Sequence, residues 1–129
     1  MSSRLSELVI DTRDSWALAD WWSQVLETEV KEKKEDKGMR WAWLEPPDAV
    51  RGLLFLDVPE GKTVKNRLHI DLRPHGCDQA AELERLKSLG ATEIDIGQGD
   101  QTWVVLADPE GNEFCLLRRP FDQGVRPPS

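Results

Sequence analysis

His69 stands on a segment whose side chains alternate in character. Leu68, Ile70 and Leu72 fall on one side of an extended chain, and His69, Asp71 and Arg73 on the other, because successive strand residues point to opposite faces. An acid beside an imidazole orients it and favours its charged form. Such a face suits a general base or a hydrogen-bonding anchor for a polar ligand. It equally suits a satisfied polar strand face. Trp41, Trp43 and Trp103 offer another chemistry, because flat indoles stack on planar ligands and hold cations over their faces. They too have a plain alternative as core or edge aromatics. Glu113 shares a strand face with Cys115. Chain order alone establishes no Ser-His-Asp arrangement. Gly97-Gln98-Gly99 is a hairpin turn and not a phosphate loop, since neither a helix nor a lysine follows it.

Composition limits the options further. The 129 residues carry 17 Lys and Arg against 24 Asp and Glu, a net charge of −7. That balance argues against generic nucleic-acid binding, which needs a basic patch to neutralise phosphates. It weakly favours a cationic ligand. The basic run Lys31–Lys37 is interrupted by Glu32, Glu35 and Asp36 and reads as a solvated turn. No apolar run reaches the roughly 18 residues of a membrane span, and the N-terminus lacks a signal-peptide core, so a cytoplasmic protein is expected. Cys77 and Cys115 are too few for a disulfide scaffold or a thiolate zinc site. Cys115 reads as a small buried apolar residue, and Cys77 lies near a helix start.

The elements that position these residues occur twice. Residues 8–13 read LVIDTR and residues 68–73 read LHIDLR, four matches in six at an offset of 60. Trp41, Leu44 and Pro47 match Trp103, Leu106 and Pro109 at an offset of 62. Near-equal offsets point to a duplication, with halves at about 5–58 and 66–118. Leu5–Asp11 alternates as a strand, with Glu7, Val9 and Asp11 on one face. Asp14 caps a helix over about 15–27, with Leu18, Trp21 or Trp22, and Val25 on its core face. Strands are expected at 28–33, 40–44 and 52–57, with Lys34–Gly38 as a polar turn. The second half follows with a strand over 67–73, a helix from Asp78 to about Leu89, and strands at 93–96, 102–106 and 113–118. The pattern is α+β: two tandem βαβββ modules, at 1–62 and 63–119, then a Pro/Gly-rich tail at 120–129. A ferredoxin-like duplication has two strands per half and fits less well. Asp11 and Arg13, the first-half counterparts of Asp71 and Arg73, read as structural ion pairs.

An Asp-started helix with paired aromatics (Asp14, Trp21-Trp22) and a hairpin closed by Asp108-Pro109-Glu110-Gly111-Asn112-Glu113-Phe114 resemble the vicinal oxygen chelate superfamily. That group includes glyoxalase I, bleomycin-resistance proteins and extradiol dioxygenases. The nearest subset looks like the small bacterial glyoxalase-like domain proteins, over about 5–118. The resemblance implies two sheets forming an open barrel-like concave cleft, homodimerisation, and in metallo members a divalent cation held from the first and fourth strands of each module. Carried over, those positions fall on His69, on Cys115, near Leu53, and on Glu7 or Val9 depending on the count. Leu53 cannot ligate, and a thiol beside a carboxylate suits no single hard or soft cation cleanly. The expectation is therefore a glyoxalase/bleomycin-resistance-like protein that binds a small organic ligand without a complete metal centre or other cofactor. Trp41, Trp43, His69, Asp71, Arg73, Trp103 and Glu113 would meet the ligand. The alternative is a metal-dependent lyase, isomerase or dioxygenase with His69 as catalytic residue and metal ligand, helped by Glu7. Membrane and nucleic-acid partners are not expected.

Overall fold

The structure, a computed structural model, describes residues 1–2, 7–46, 52–66, 68, 70–95, 97, 99 and 101–121. The chain divides into two compact units, Met1–Lys62 and Thr63–Ser129.

The first unit runs β1 (Leu8–Thr12), α1 (Ser15–Leu26), β2 (Val30–Asp36), β3 (Met39–Leu44) and β4 (Leu53–Asp57). Its sheet has the order β1-β4-β3-β2, with β1 parallel to β4 and the other pairs antiparallel. Asp14 caps α1 as its sequence predicts, its carboxylate accepting the Ala17 N–H at 3.1 Å. The helix buries Leu18, Ala19, Trp21, Trp22 and Val25. Register sorts the strand residues by face. Leu8, Ile10, Ala42, Leu44, Leu53 and Phe55 share the helix side, and Ala42, Leu44 and Phe55 there are wholly buried. Val9, Asp11, Trp41, Trp43, Leu54 and Leu56 share the opposite face.

The polar run is a strand and not a turn. Chain reversal is confined to Lys37-Gly38, both left-handed at φ 52° and 84°, the geometry of a type I′ hairpin. From Lys31 to Asp36 every residue of β2 is exposed, so it carries no apolar alternation for a sequence pattern to detect. β2 is an edge strand, and its alternating charges suit an edge that must not pair with another chain.

The second unit repeats the order with β5 (Asp71–Leu72), α2 (Gln79–Ser88), β6 (Thr92–Glu93), β7 (Val104–Ala107) and β8 (Glu113–Leu116). Its sheet has the order β5-β8-β7-β6, with β5 parallel to β8. Both units are therefore βαβββ with four strands each, which excludes the ferredoxin-like arrangement. The strand expected over 67–73 is shorter as described, and residues 67 and 69 lie outside the described residues. Its parallel pairing runs from the Ile70 carbonyl, which accepts from Cys115 N–H at 2.9 Å, to the Leu72 carbonyl, which accepts from Leu117 N–H at 2.8 Å. Asp78 caps α2 through the Ala81 N–H at 2.9 Å. The β7–β8 turn is organised by buried Asp108, whose Oδ1 accepts the Glu110 and Asn112 amides at 2.9 Å each. Among the described residues no helix is long and apolar enough to cross a membrane.

Candidate functional site

In the first unit the chemistry lies on the helix-free face of the sheet. Trp41 and Trp43 are two apart on β3, half-buried, and stand opposite Leu56 and Leu54 of β4. Two indoles over two leucines form an aromatic and apolar platform. It is fixed from beneath on the helix side: the Trp16 Nε1–H donates to the Trp41 carbonyl at 3.2 Å. The Arg40 guanidinium lies 4.7 Å from the Trp16 ring centre. Arg40 also pairs with Asp57 at 3.1 Å and Asp14 at 3.0 Å, and Asp57 accepts the Ser15 amide at 2.7 Å. Burial alone would raise the Asp57 pKa, but Ser15 and then Arg40 outweigh it and hold the carboxyl below its ordinary range. Of the two Ser15 groups the amide makes the formed bond; the buried hydroxyl has no hydrogen-bond partner among the described residues and acts only as a nearby dipole.

Gly52 makes the platform flat. It shares the face of Leu54 and lies diagonal to Trp43, and a Cβ added there would come within 2.2 Å of the Trp43 six-membered ring. Gly52→Ala is therefore expected to lift the Trp43 indole off the sheet. The variant should lose roughly 1–3 kcal/mol of stability, the usual cost of overpacking. Among the indole N–H resonances, that of Trp43 should move most. An unmoved Trp43 signal would show that the ring does not rest on Gly52.

In the second unit Asp71, Cys115 and Val105 are register partners on one face, and Glu113 and Ala107 continue it. Asp71 is exposed and Glu113 half-buried, its Oε1 accepting the Asn66 N–H at 2.9 Å. His69 lies outside the described residues. Arg73 and Trp103, far apart in sequence, line one cavity of about 470 Å³ with Thr102, Leu117, Arg118 and Arg119. The Arg73 Nη1–H donates to the Arg119 carbonyl at 3.1 Å. Gln79, at the start of α2, ties the cavity-lining Thr102 to the end of β8: its Nε2 donates to the Thr102 carbonyl at 2.9 Å and the Leu116 carbonyl at 3.1 Å. Gln79, Arg118 and Arg119 carry no sequence signal of this role, because their meeting depends on register.

Register also revises the correspondence between halves. Asp11 faces Leu56, and Asp71 faces Cys115, so the repeat makes Leu56 the counterpart of Cys115. Leu53, expected near that position, is buried on the helix side. Trp41 faces Leu56 and Val105 faces Cys115, so Trp41 corresponds to Val105 and not to Trp103. The alignment by sequence offset is two residues out at Trp41 and three at Leu53, because the hairpin joining β7 to β8 is shorter than the one joining β3 to β4.

These residues do not fit the divalent cation that the superfamily's metallo members hold. Leu56 offers no donor. The Cys115 thiol is pushed up by burial and then by Asp71, with Lys65 opposing, and a protonated thiol is a poor ligand. Glu7 stands half-buried just before β1. Among the described residues no three His, Cys, Asp or Glu side chains gather as a metal site. Cys77, despite its place near a helix start, is raised by burial, Glu82 and Asp78, and so is not activated.

A family model described as a glyoxalase-like domain matches residues 7–117. No curated relative matches. Among solved structures, the fosfomycin resistance protein FosX from Mesorhizobium loti superposes with TM-score 0.70 at 16% identity, over 95% of this chain and 97% of that one. A FosX variant from Listeria monocytogenes, complexed with Mn(II) and 1S,2S-dihydroxypropylphosphonic acid, gives 0.71 at 16%, over 98% and 100%. The trypanothione-dependent glyoxalase I of Leishmania major gives 0.69 at 16%, over 91% and 87%. At such identities the structures show a shared fold, and the family match over nearly the whole chain places this protein in the glyoxalase-like domain family of the vicinal oxygen chelate superfamily.

Proposed function

We propose that the protein binds and sequesters a small flat organic molecule, with no complete metal centre and no other cofactor. The observation that carries this reading is the half-buried pair Trp41 and Trp43 on the helix-free face of the first sheet, backed by Leu54 and Leu56. In the second module the reading assigns polar ligand contacts to His69 and Asp71, and further contacts to Glu113, Arg73 and Trp103. Sequestration needs affinity only, so a hydrocarbon at Leu56, where a metal ligand would stand, costs it nothing. The reading includes a cytoplasmic homodimer with no nucleic-acid or membrane partner.

Proflavine, a planar cation, is a suitable probe given the net charge of −7 and the preference of indoles for cations. It is expected to quench tryptophan fluorescence saturably. The double variant Trp41→Ala/Trp43→Ala should bind it at least tenfold more weakly, and EDTA should change nothing. Unaltered affinity in the double variant would remove the platform from the function. The second reading, a metal-dependent lyase, isomerase or dioxygenase, draws on the Mn(II) complex of the Listeria FosX variant. In it His69 is the catalytic ligand and Glu7 its helper. About one metal per purified chain, lost in His69→Ala together with EDTA-sensitive binding, would establish that reading instead.

A further inference from the structure

The cavity at the ends of β5 and β8 is charged against the rest of the protein. We propose that it is a binding site for a flat organic acid, a carboxylate joined to a planar apolar body. Arg73, Arg118 and Arg119 line it, and no carboxylate does among the described residues. In a chain with 24 acids and 17 bases, three guanidinium groups around one cavity are a local reversal of sign. A volume of about 470 Å³ is that of a small-molecule pocket, commonly ~300–1,000 Å³, and not of a groove that tracks a polymer backbone.

The apolar half of the lining fits the other half of such a ligand. Trp103, 36% exposed, presents a ring for stacking, and Leu117 and Pro120 add hydrocarbon. The cation half is partly preorganised. Arg73 is half-buried, and its bond to the Arg119 carbonyl fixes one nitrogen of the guanidinium fork. A planar fork binds a carboxylate through two parallel hydrogen bonds, which a lysine cannot reproduce. The two Gln79 bonds hold Thr102 against the end of β8 before any ligand arrives. This inference shares Arg73 and Trp103 with the small-ligand reading, but the cavity is complete within the second module and does not need the Trp41–Trp43 platform.

Isothermal titration with 2-naphthoate, and with neutral 2-naphthamide, tests it on the whole chain. Naphthoate is expected to bind with a submillimolar Kd that weakens as salt is added, and the amide at least tenfold more weakly. Arg118→Ala, an exposed change with little to disturb in the core, and Arg73→Lys, which keeps the charge without the fork, should each weaken naphthoate at least tenfold. Trp103→Ala should weaken naphthoate and amide alike. Lys33→Ala, which removes an exposed cation from β2 of the first module, should leave naphthoate binding unchanged. Absence of naphthoate binding, or equal affinity in the wild type and both arginine variants, would overturn the site. Loss of naphthoate binding in the Trp41/Trp43 variant alone would place the acid on the platform, overturning this site while sparing the small-ligand reading.

Discussion

Trp22→Ala is expected to remove roughly 3–5 kcal/mol of folding stability, the range for truncating a large buried aromatic. Trp22 is 1% exposed and lies edge-on to Trp21, with ring centres 5.2 Å apart. It fills the interface between α1 and the sheet side that carries Ala42, Leu44 and Phe55, all wholly buried. Total stability for a domain of this size is about 5–15 kcal/mol, so the variant should be marginal at 37 °C. Urea unfolding at 25 °C provides the measurement, with Trp16→Ala alongside. Trp16 is half-buried and gives up one hydrogen bond and a contact with Arg40, so its loss should be clearly smaller. Equal midpoints for the two variants would show that the helix-sheet core is not centred on Trp22.

The same residues show which parts of this molecule can be read from the chain alone. Both helices were visible because two short-range signals agree: Asp14 and Asp78 each accept the amide three residues on, and Leu18, Trp22 and Val25 recur at helical spacing. The Asp108 turn was visible for the same reason, since its acceptor and donors lie within four residues. The strand expected over 28–33 is β2, but its Lys34–Asp36 end reads as a turn, because a strand exposed on both faces has no period to detect. The site was legible by residue type and illegible by partner. Trp41 and Trp43 announce a platform, but their leucine partners, and the vacancy of side chain at Gly52 under Trp43, follow only from the β3–β4 register. Arg73 and Trp103 were singled out separately, whereas their common cavity also needs Arg118 and Arg119 from the end of β8. The Arg40–Asp57–Ser15 cluster carried no signal at all, because its members sit 17 and 42 residues from Asp57 in the chain.

That cluster leads to the second large effect, which depends on pH. The Asp57 carboxyl is held below its ordinary value of 3.8, chiefly by Ser15 and Arg40 working against the cost of burial. A carboxyl whose folded pKa is depressed contributes stability that is fully present above the unfolded pKa and is lost as pH falls through the folded one. Asp57→Asn keeps the shape and removes the charge. At pH 7 it should cost roughly 1.5–3 kcal/mol, the worth of a hydrogen bond to a charged acceptor. Most of that belongs to the 2.7 Å bond from the Ser15 amide at the start of α1, where the helix dipole favours an anion. Arg40, with 30% of its side chain exposed, adds a smaller share that water screens. The wild type and the variant should therefore differ fully at pH 7 and at pH 5. They should converge as pH falls below the ordinary carboxyl range and through the depressed folded pKa, where the folded wild type takes up its proton. Comparing the two proteins at each pH cancels the other carboxyls, which titrate in both. A gap that stays constant from pH 7 to pH 3 would mean that the neutral amide loses shape-dependent contacts and that the charge on Asp57 does not anchor the helix to the strand beneath the tryptophan platform.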